Sequence, residues 1–377
     1  MLKSLASSIR GSRQVKENQH PSQEAEREEN FRWLSKYFAA SAPRPLKLSD
    51  RVDASLQNEL SEIGQFAEVA HGSFDPRFLW KYMANLCESG YPLYQYLALA
   101  QSELVSVFYG TVSNLQCYIA YRPDEEQLVV AFSGTSSLAQ AGQALNATKV
   151  RYQWGEETYV HAGFWKMYTG IRTEALSKLG VALKQYSNIQ RIVLTGHSMG
   201  AVMASLLCLD VLQGQIPGTN GASSPSLPLI KMVGFGAPRV GNDALAQLWN
   251  ELTSRPGVEE YSIRNYNDGV PVVPPRSLGY RHLSRNPLYL SHSQLWRISQ
   301  DQSEHSLFKL DPEATLGAQN PYPMGGHNYY NDRNIELLQR RMEWFQPHAE
   351  DDTWDTLKHR FDERLQEVKQ QTSLSKN

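Results

Sequence analysis

RIVLTGHSMGAVMASLLCLD (191–210) is the stretch whose reading decides the fold. An apolar run, Ile192–Leu194, enters the five residues Gly196-His197-Ser198-Met199-Gly200, and a small-residue segment, Ala201–Ser205, leaves at helical spacing. On its own, Gly-x-Ser-x-Gly is a weak signal, and it also fits an ordinary β–α turn. Between a buried strand and a helix it becomes a sharp turn with a serine at its apex. Glycine on both sides lets the chain bend without a Cβ clash, which pushes the Ser198 hydroxyl out at the strand's C-terminal end. The helix that follows aims its positive end at the same place and favours negative charge developing there.

Working outward, CYIAYR, the turn PDEE and LVVAFS (117–133) read as a hairpin leading into a buried strand. Apolar residues at 164–183 (Phe164, Met167, Tyr168, Ile171, Leu179, Leu183) share one helical face. Beyond the serine come a strand at 230–235, a helix at 243–252 and a strand at 261–264. Strands alternating with helices of this length predict an α/β fold, with a mostly parallel central sheet and helices on both faces. Upstream, Leu56, Leu60, Ile63, Phe66, Ala67 and Ala70 mark an amphipathic helix. Phe31, Trp33, Leu34, Tyr37 and Phe38 form an apolar patch expected to dock on the main domain. The expected organisation is an N-terminal extension (1–45, disordered or partly helical), a main domain (46–347) and a C-terminal amphipathic helix (348–377) docked on that domain.

The chain has 377 residues, 41% of them apolar, and a net charge of −2, which gives no electrostatic reason to expect nucleic acid. No run approaches the roughly 18–20 apolar residues of a transmembrane helix. The N-terminus shows no secretory h-region, and three cysteines (Cys87, Cys117, Cys208) are too few for a disulfide framework, so an intracellular, cytoplasmic protein is expected. The opening MLKSLASSIRGSRQVK is basic and free of acidic residues; it reads as a disordered tail or an organelle-targeting peptide.

A serine hydroxyl needs a base and an orienting acid to become a nucleophile, and on such a turn these follow later in the chain, acid before histidine. Asp268, just past the strand that ends near Arg264, is the expected acid; Asp210 and Asp243 read as structural. His327, in the Gly-flanked loop PMGGHNYYND, is the expected base, with His282 and His292 as hydrogen-bonded structural alternatives. Donors for an oxyanion are expected from the N–H of Met199 and from Thr135, after the strand end VVAFSGTSS.

Six segments in order, LVVAFSGT, VHAGFWKMY, LTGHSMGA, VGFGAPRVGN, RNYNDGVPVVPP with LGYRH, and GGHNYY, resemble the class 3 lipases, the fungal-lipase-like α/β-hydrolases. They span roughly 116–330. The resemblance implies a Ser198–Asp268–His327 triad, an oxyanion hole of Thr135 and Met199, and acylglycerol or other ester substrates. It also implies an amphipathic lid within SSLAQAGQALNATKVRYQW, carried by Leu138, Ala141 and Leu145. Three features depart from the family pattern: Ser133 stands where the family has Arg, Gly326 and Asn328 flank the last histidine, and an extra stretch at about 283–323 lengthens the loops. The lid's apolar face is small, and burying it would contribute only a few kcal/mol towards a lipid surface. Such a lid fits shorter or more soluble esters or mono- and diacylglycerols, while the resemblance favours acylglycerols, so a lipase is expected, with a non-lipid esterase, a phospholipase or acyltransferase, and a silent lipid-binding protein as alternatives. No metal cluster or cofactor fingerprint is evident, and the expected chemistry requires neither.

Overall fold

The computed structural model describes residues 30–72, 74–134, 148–218, 228–345 and 353–374. Among them an eight-stranded sheet runs in the order β1-β2-β3-β6-β7-β8-β9-β10. The strands are β1 (Glu103–Tyr109), β2 (Gln116–Arg122), β3 (Gln127–Phe132), β6 (Arg191–His197), β7 (Leu229–Phe235), β8 (Val258–Asn265), β9 (Pro287–Ser291) and β10 (Gln294–Arg297). From β3 to β9 every pairing is parallel, while β1, β2 and β10 join antiparallel at the edges. A small hairpin of β4 (Lys149–Arg151) and β5 (Tyr159–His161) lies outside the sheet.

Side chains alternate between the two faces, as the two-residue period of a strand requires. Leu128, Val130 and Phe132 of β3 join Ile192 and Leu194 of β6 in one core. Val129, Ala131 and Val193 join the other. The first core is covered by α3 (Ala162–Thr169), α4 (Arg172–Gln185), α5 (Met199–Leu212) and α6 (Asp243–Thr253). The second is covered by α2 (Ala54–His71), α7 (Ile335–Glu343) and α8 (Trp354–Leu374), the last through Leu357 and Phe361. All 14 residues of α5 are buried, so this helix carries no polar face to read. Asp210 on α5 is held by Arg172 at 2.7 Å and by the Tyr168 hydroxyl.

Two sequence expectations change. The single helix over 164–183 is two, α3 and α4, with the break at Gly170 and Ile171. Thr111 N–H bonds the Gly170 carbonyl at 3.0 Å, and a Cβ at Gly170 would lie 2.7 Å from Val112, so the β1–β2 loop docks where the helix stops. The extra stretch at 283–323, expected to lengthen the loops and to hold a strand-and-loop region ending in QLWRIS, carries two strands, the β9–β10 hairpin at 287–297. Its two-residue turn, His292-Ser293, has both residues at positive φ (53° and 57°) without the usual Asn or Gly, which hid it.

The N-terminal α1 (Arg32–Phe38) packs through Leu34 on Val272 and Val273, whereas Tyr37 of the expected apolar patch is 70% exposed. No helix among the described residues is long and apolar enough to cross a membrane.

Candidate active site

The C-terminal ends of parallel strands β3, β6 and β8 deliver three turns to one edge of the sheet, the usual place for a ligand crevice in such a fold. At the end of β6, Ser198 adopts φ 60° and ψ −126°, a region that L-residues rarely occupy and that costs about 1–3 kcal/mol. Its N–H is tied to the Phe235 carbonyl at 2.8 Å. A Cβ at Gly196 would lie 2.8 Å from the Ala201 nitrogen, and one at Gly200 would lie 2.9 Å from the Ser133 oxygen. The sharp crossing of strand, turn and helix therefore needs both glycines. Met199 is the first helical residue, so its N–H has no intrahelical acceptor and is available to an oxyanion.

Asp268 follows β8 and is 2% exposed. Its Oδ1 accepts the Val270 N–H at 2.8 Å and its Oδ2 accepts the Tyr330 hydroxyl at 2.6 Å. Both oxygens lie within reach of His327 Nδ1, at 3.0 and 2.9 Å. A carboxylate can only accept, so the imidazole proton sits on Nδ1 and Nε2 presents a lone pair. Nε2 is buried and has no hydrogen-bond partner among the described residues. The Ser198–His327 hydrogen bond is thus not formed in this structure; such contacts commonly tighten only when substrate binds. Burial, reinforced by the Asp268 charge, pushes the Tyr330 hydroxyl well above its ordinary range, which keeps it a donor.

The histidine loop is fastened from two sides. Asn265 Nδ2 donates to the Gly326 and Tyr329 carbonyls at 2.9 and 2.5 Å. From the N-terminal segment, the Asn30 carbonyl accepts the His327 N–H and its Oδ1 accepts the Asn328 N–H, both at 3.1 Å. The Phe31 ring meets the His327 imidazole edge-on at 5.5 Å. Gly326 and Asn328, which depart from the family pattern, are therefore part of this fastening.

Of the other residues singled out in the sequence, Met199 lies beside Ser198, while Thr135, Leu138, Ala141 and Leu145 fall outside the described residues. The end of the expected lid segment, Lys149–Arg151, is strand β4. Ser133, in the family's Arg position, accepts the Gln116 N–H at 3.0 Å. Asp243 pairs with Arg281 at 2.7 Å, away from His327. His282 is buried, and burial followed by the Arg264 and Arg239 charges holds it well below the usual imidazole range. His292 contacts Ser291 Oγ at 2.9 Å. Sequence reasoning missed the supporting residues Tyr330, Asn265, Asn30 and His71. Tyr330 and Asn265 lay inside the family-like segments GGHNYY and RNYNDGVPVVPP, but nothing in sequence spacing marks a hydroxyl that reaches back 62 positions to an acid.

Residues 129–278 match the family described as lipase (class 3). Over 180 residues the chain is 32% identical to a secreted mono- and diacylglycerol lipase of Malassezia globosa, covering 45% of this chain and 55% of that protein. It is 25% identical over 270 residues to a chloroplastic phospholipase A(1) of Arabidopsis thaliana, covering 60% and 58%. The chain spans about half the length of the curated relatives it matches. The fold superposes on the Rhizomucor miehei triacylglyceride lipase with a TM-score of 0.57 at 21% identity, over 76% of this chain and 98% of the other. The architecture is thus the α/β-hydrolase fold of the fungal lipases, and Ser198 and Asp268 both lie inside the segment that is similar to the class 3 lipases.

Proposed function

We propose that this protein is a serine carboxylic ester hydrolase acting on acylglycerols. In this reading Ser198 Oγ attacks the ester carbonyl and passes its proton to His327 Nε2, with Asp268 holding the imidazole. The Met199 N–H, with Thr135, receives the oxyanion. Collapse expels the alcohol, which takes the proton back from His327, and water attacks the acyl-enzyme by the same route. The observation that carries the reading is the His327 Nδ1 contact with Asp268 at 2.9 Å, which leaves a bare Nε2 on a ring packed 4.3 Å from that of His197, the residue before the strained Ser198. A silent lipid-binding protein would have no use for this costly arrangement.

Acylglycerols are favoured because the Malassezia relative is named a mono- and diacylglycerol lipase. A phospholipid substrate is the second reading, carried by the Arabidopsis relative, which is named a phospholipase A(1). A reducing compartment suits the free thiols of Cys87, Cys117 and Cys208. The test is hydrolysis of p-nitrophenyl butyrate and palmitate by the protein and by Ser198→Ala, followed by mono-, di- and triacylglycerol and phosphatidylcholine. Loss of the nucleophile should lower kcat by a factor on the order of 10⁶. Undiminished hydrolysis by Ser198→Ala rules out the mechanism, and faster release of fatty acid from phosphatidylcholine than from any acylglycerol selects the second reading.

A further inference from the structure

Directly behind His327 lies a second imidazole, and behind that a third. His197 Nε2 is 2.8 Å from the main-chain carbonyl of His327, and its ring centroid is 4.3 Å from the His327 ring. On the other side, His197 Nδ1 is 3.2 Å from His71 Nδ1, with the rings crossing edge to face at 4.6 Å. His197 is fully buried and His71 nearly so. His71 is the last residue of α2, outside the segment that matches the lipase family.

Elementary donor rules orient this chain. A carbonyl only accepts, so the proton of His197 must sit on Nε2. Burial, assisted by the neighbouring histidines, holds His197 well below the usual imidazole range and His71 down to about 3, so both rings are neutral. A neutral His197 protonated at Nε2 has a bare Nδ1, and the bond at 3.2 Å then requires His71 to donate from its own Nδ1. The same His71 ring fills a notch under the turn after β3. A Cβ on Gly134 would collide with it and would also lie 2.9 Å from the His197 carbonyl.

We propose that His71 is a positioning residue for the hydrolysis. Its Nδ1–H locks His197 in the tautomer whose Nε2–H holds the His327 carbonyl, and its ring seats the turn that leads to Thr135. The inference rests on the serine-hydrolase reading above. With His71 gone, His197 Nδ1 is a buried acceptor without its donor and the ring loses its edge-to-face neighbour, so the imidazole whose Nε2–H holds the His327 carbonyl is no longer fixed in place. That slack loosens the base in the step where Ser198 loses its proton, so kcat carries the effect and KM does not.

The test uses the full chain with His71→Leu, His71→Gln and His71→Asn, alongside Ser198→Ala and Leu357→Ala. The Asn amide nitrogen sits near the place of Nδ1, the Gln nitrogen near that of Nε2, and Leu has no donor. Leu357 is a buried residue of α8 in the second core, and its variant serves as a matched loss of stability. On p-nitrophenyl butyrate, below every variant's melting range, Leu and Gln are expected to lower kcat on the order of 10- to 100-fold with KM within about twofold. Asn restores kcat to within about threefold, and Leu357→Ala keeps the wild-type value. The downfield proton signal of the His197 N–H should persist with Asn and shift or broaden with Gln and Leu. A folded His71→Leu protein with unchanged kcat overturns the proposal, as does Asn as slow as Leu, or a loss confined to KM. If Leu does not fold, the Asn–Gln difference decides. Activity surviving in Ser198→Ala instead removes the serine reading itself, whatever the His71 variants do.

Discussion

Replacing Asp268 by asparagine keeps the shape of the side chain but turns one acceptor into a donor, and the surroundings determine which one. The Val270 N–H donates to Oδ1 at 2.8 Å, so the amide oxygen is held there. The NH₂ then takes the place of Oδ2, 2.9 Å from His327 Nδ1 and 2.6 Å from the Tyr330 hydroxyl. An NH₂ only donates, so it favours an imidazole with a lone pair at Nδ1 and the proton on Nε2, opposed only by the amide oxygen on the Oδ1 side, 3.0 Å away and already occupied by the Val270 N–H. Nε2 is the nitrogen meant to accept from Ser198, and the base is blocked. A wrong-tautomer histidine lowers kcat by a factor on the order of 10³ to 10⁴, or about 4–5.5 kcal/mol of barrier. The fold should lose less, about 1–3 kcal/mol, because the Tyr330 O–H is left without its acceptor. Steady-state hydrolysis of p-nitrophenyl butyrate by Asp268→Asn, with a denaturant melt in parallel, separates the two effects. A folded variant with kcat within tenfold of the parent would refute the assignment of Asp268 as the orienting acid and the tautomer argument with it.

Asp210→Asn gives the opposite pattern: stability falls by about 2–4 kcal/mol, because Arg172 and Tyr168 lose a buried charged partner, while kcat of the folded protein stays near the parent value. Urea melts and kcat measured together check this, and a collapse of kcat without loss of stability would contradict it. Glu260 is a buried residue of β8, and burial raises its carboxyl to about 7 from an ordinary 4.5, against the pull of the Asn286 and Arg285 N–H groups and Arg264. Between those values the native state binds more protons than the unfolded chain, so stability falls as pH rises through that window, by about 3 kcal/mol in all. Glu260→Gln should flatten that slope in urea melts taken from pH 4.5 to 8; an unchanged slope would show that other groups set it.

Much of this architecture is legible in local pattern. The two-residue alternation of β3 and β6 and the two glycines around Ser198 are consequences of neighbours in the chain, so RIVLTGHSMGAVMASLLCLD alone dictates a strand, a strained turn and a buried helix. The break between α3 and α4 was hidden because what stops the helix is the loop at Val112, which is remote in sequence. The β9–β10 hairpin was obscured by a turn that adopts positive φ at His292 and Ser293, residues that do not advertise it.

The residues proposed as nucleophile, acid and base were also singled out in the sequence, since each sits at the end of an element or in a Gly-flanked loop where a motif marks it. What surrounds them was not. Tyr330 reaches Asp268, Asn30 reaches the His327 loop across almost the whole chain, and His71 reaches His197 from the end of another helix. Each of these contacts joins one donor to one acceptor across a large sequence separation and leaves no periodicity behind. Sequence by itself determined which residues to propose for the chemistry, because backbone sterics and side-chain type are local. Tertiary structure alone decided which proton sits on which nitrogen, because that depends on what the fold packs against it.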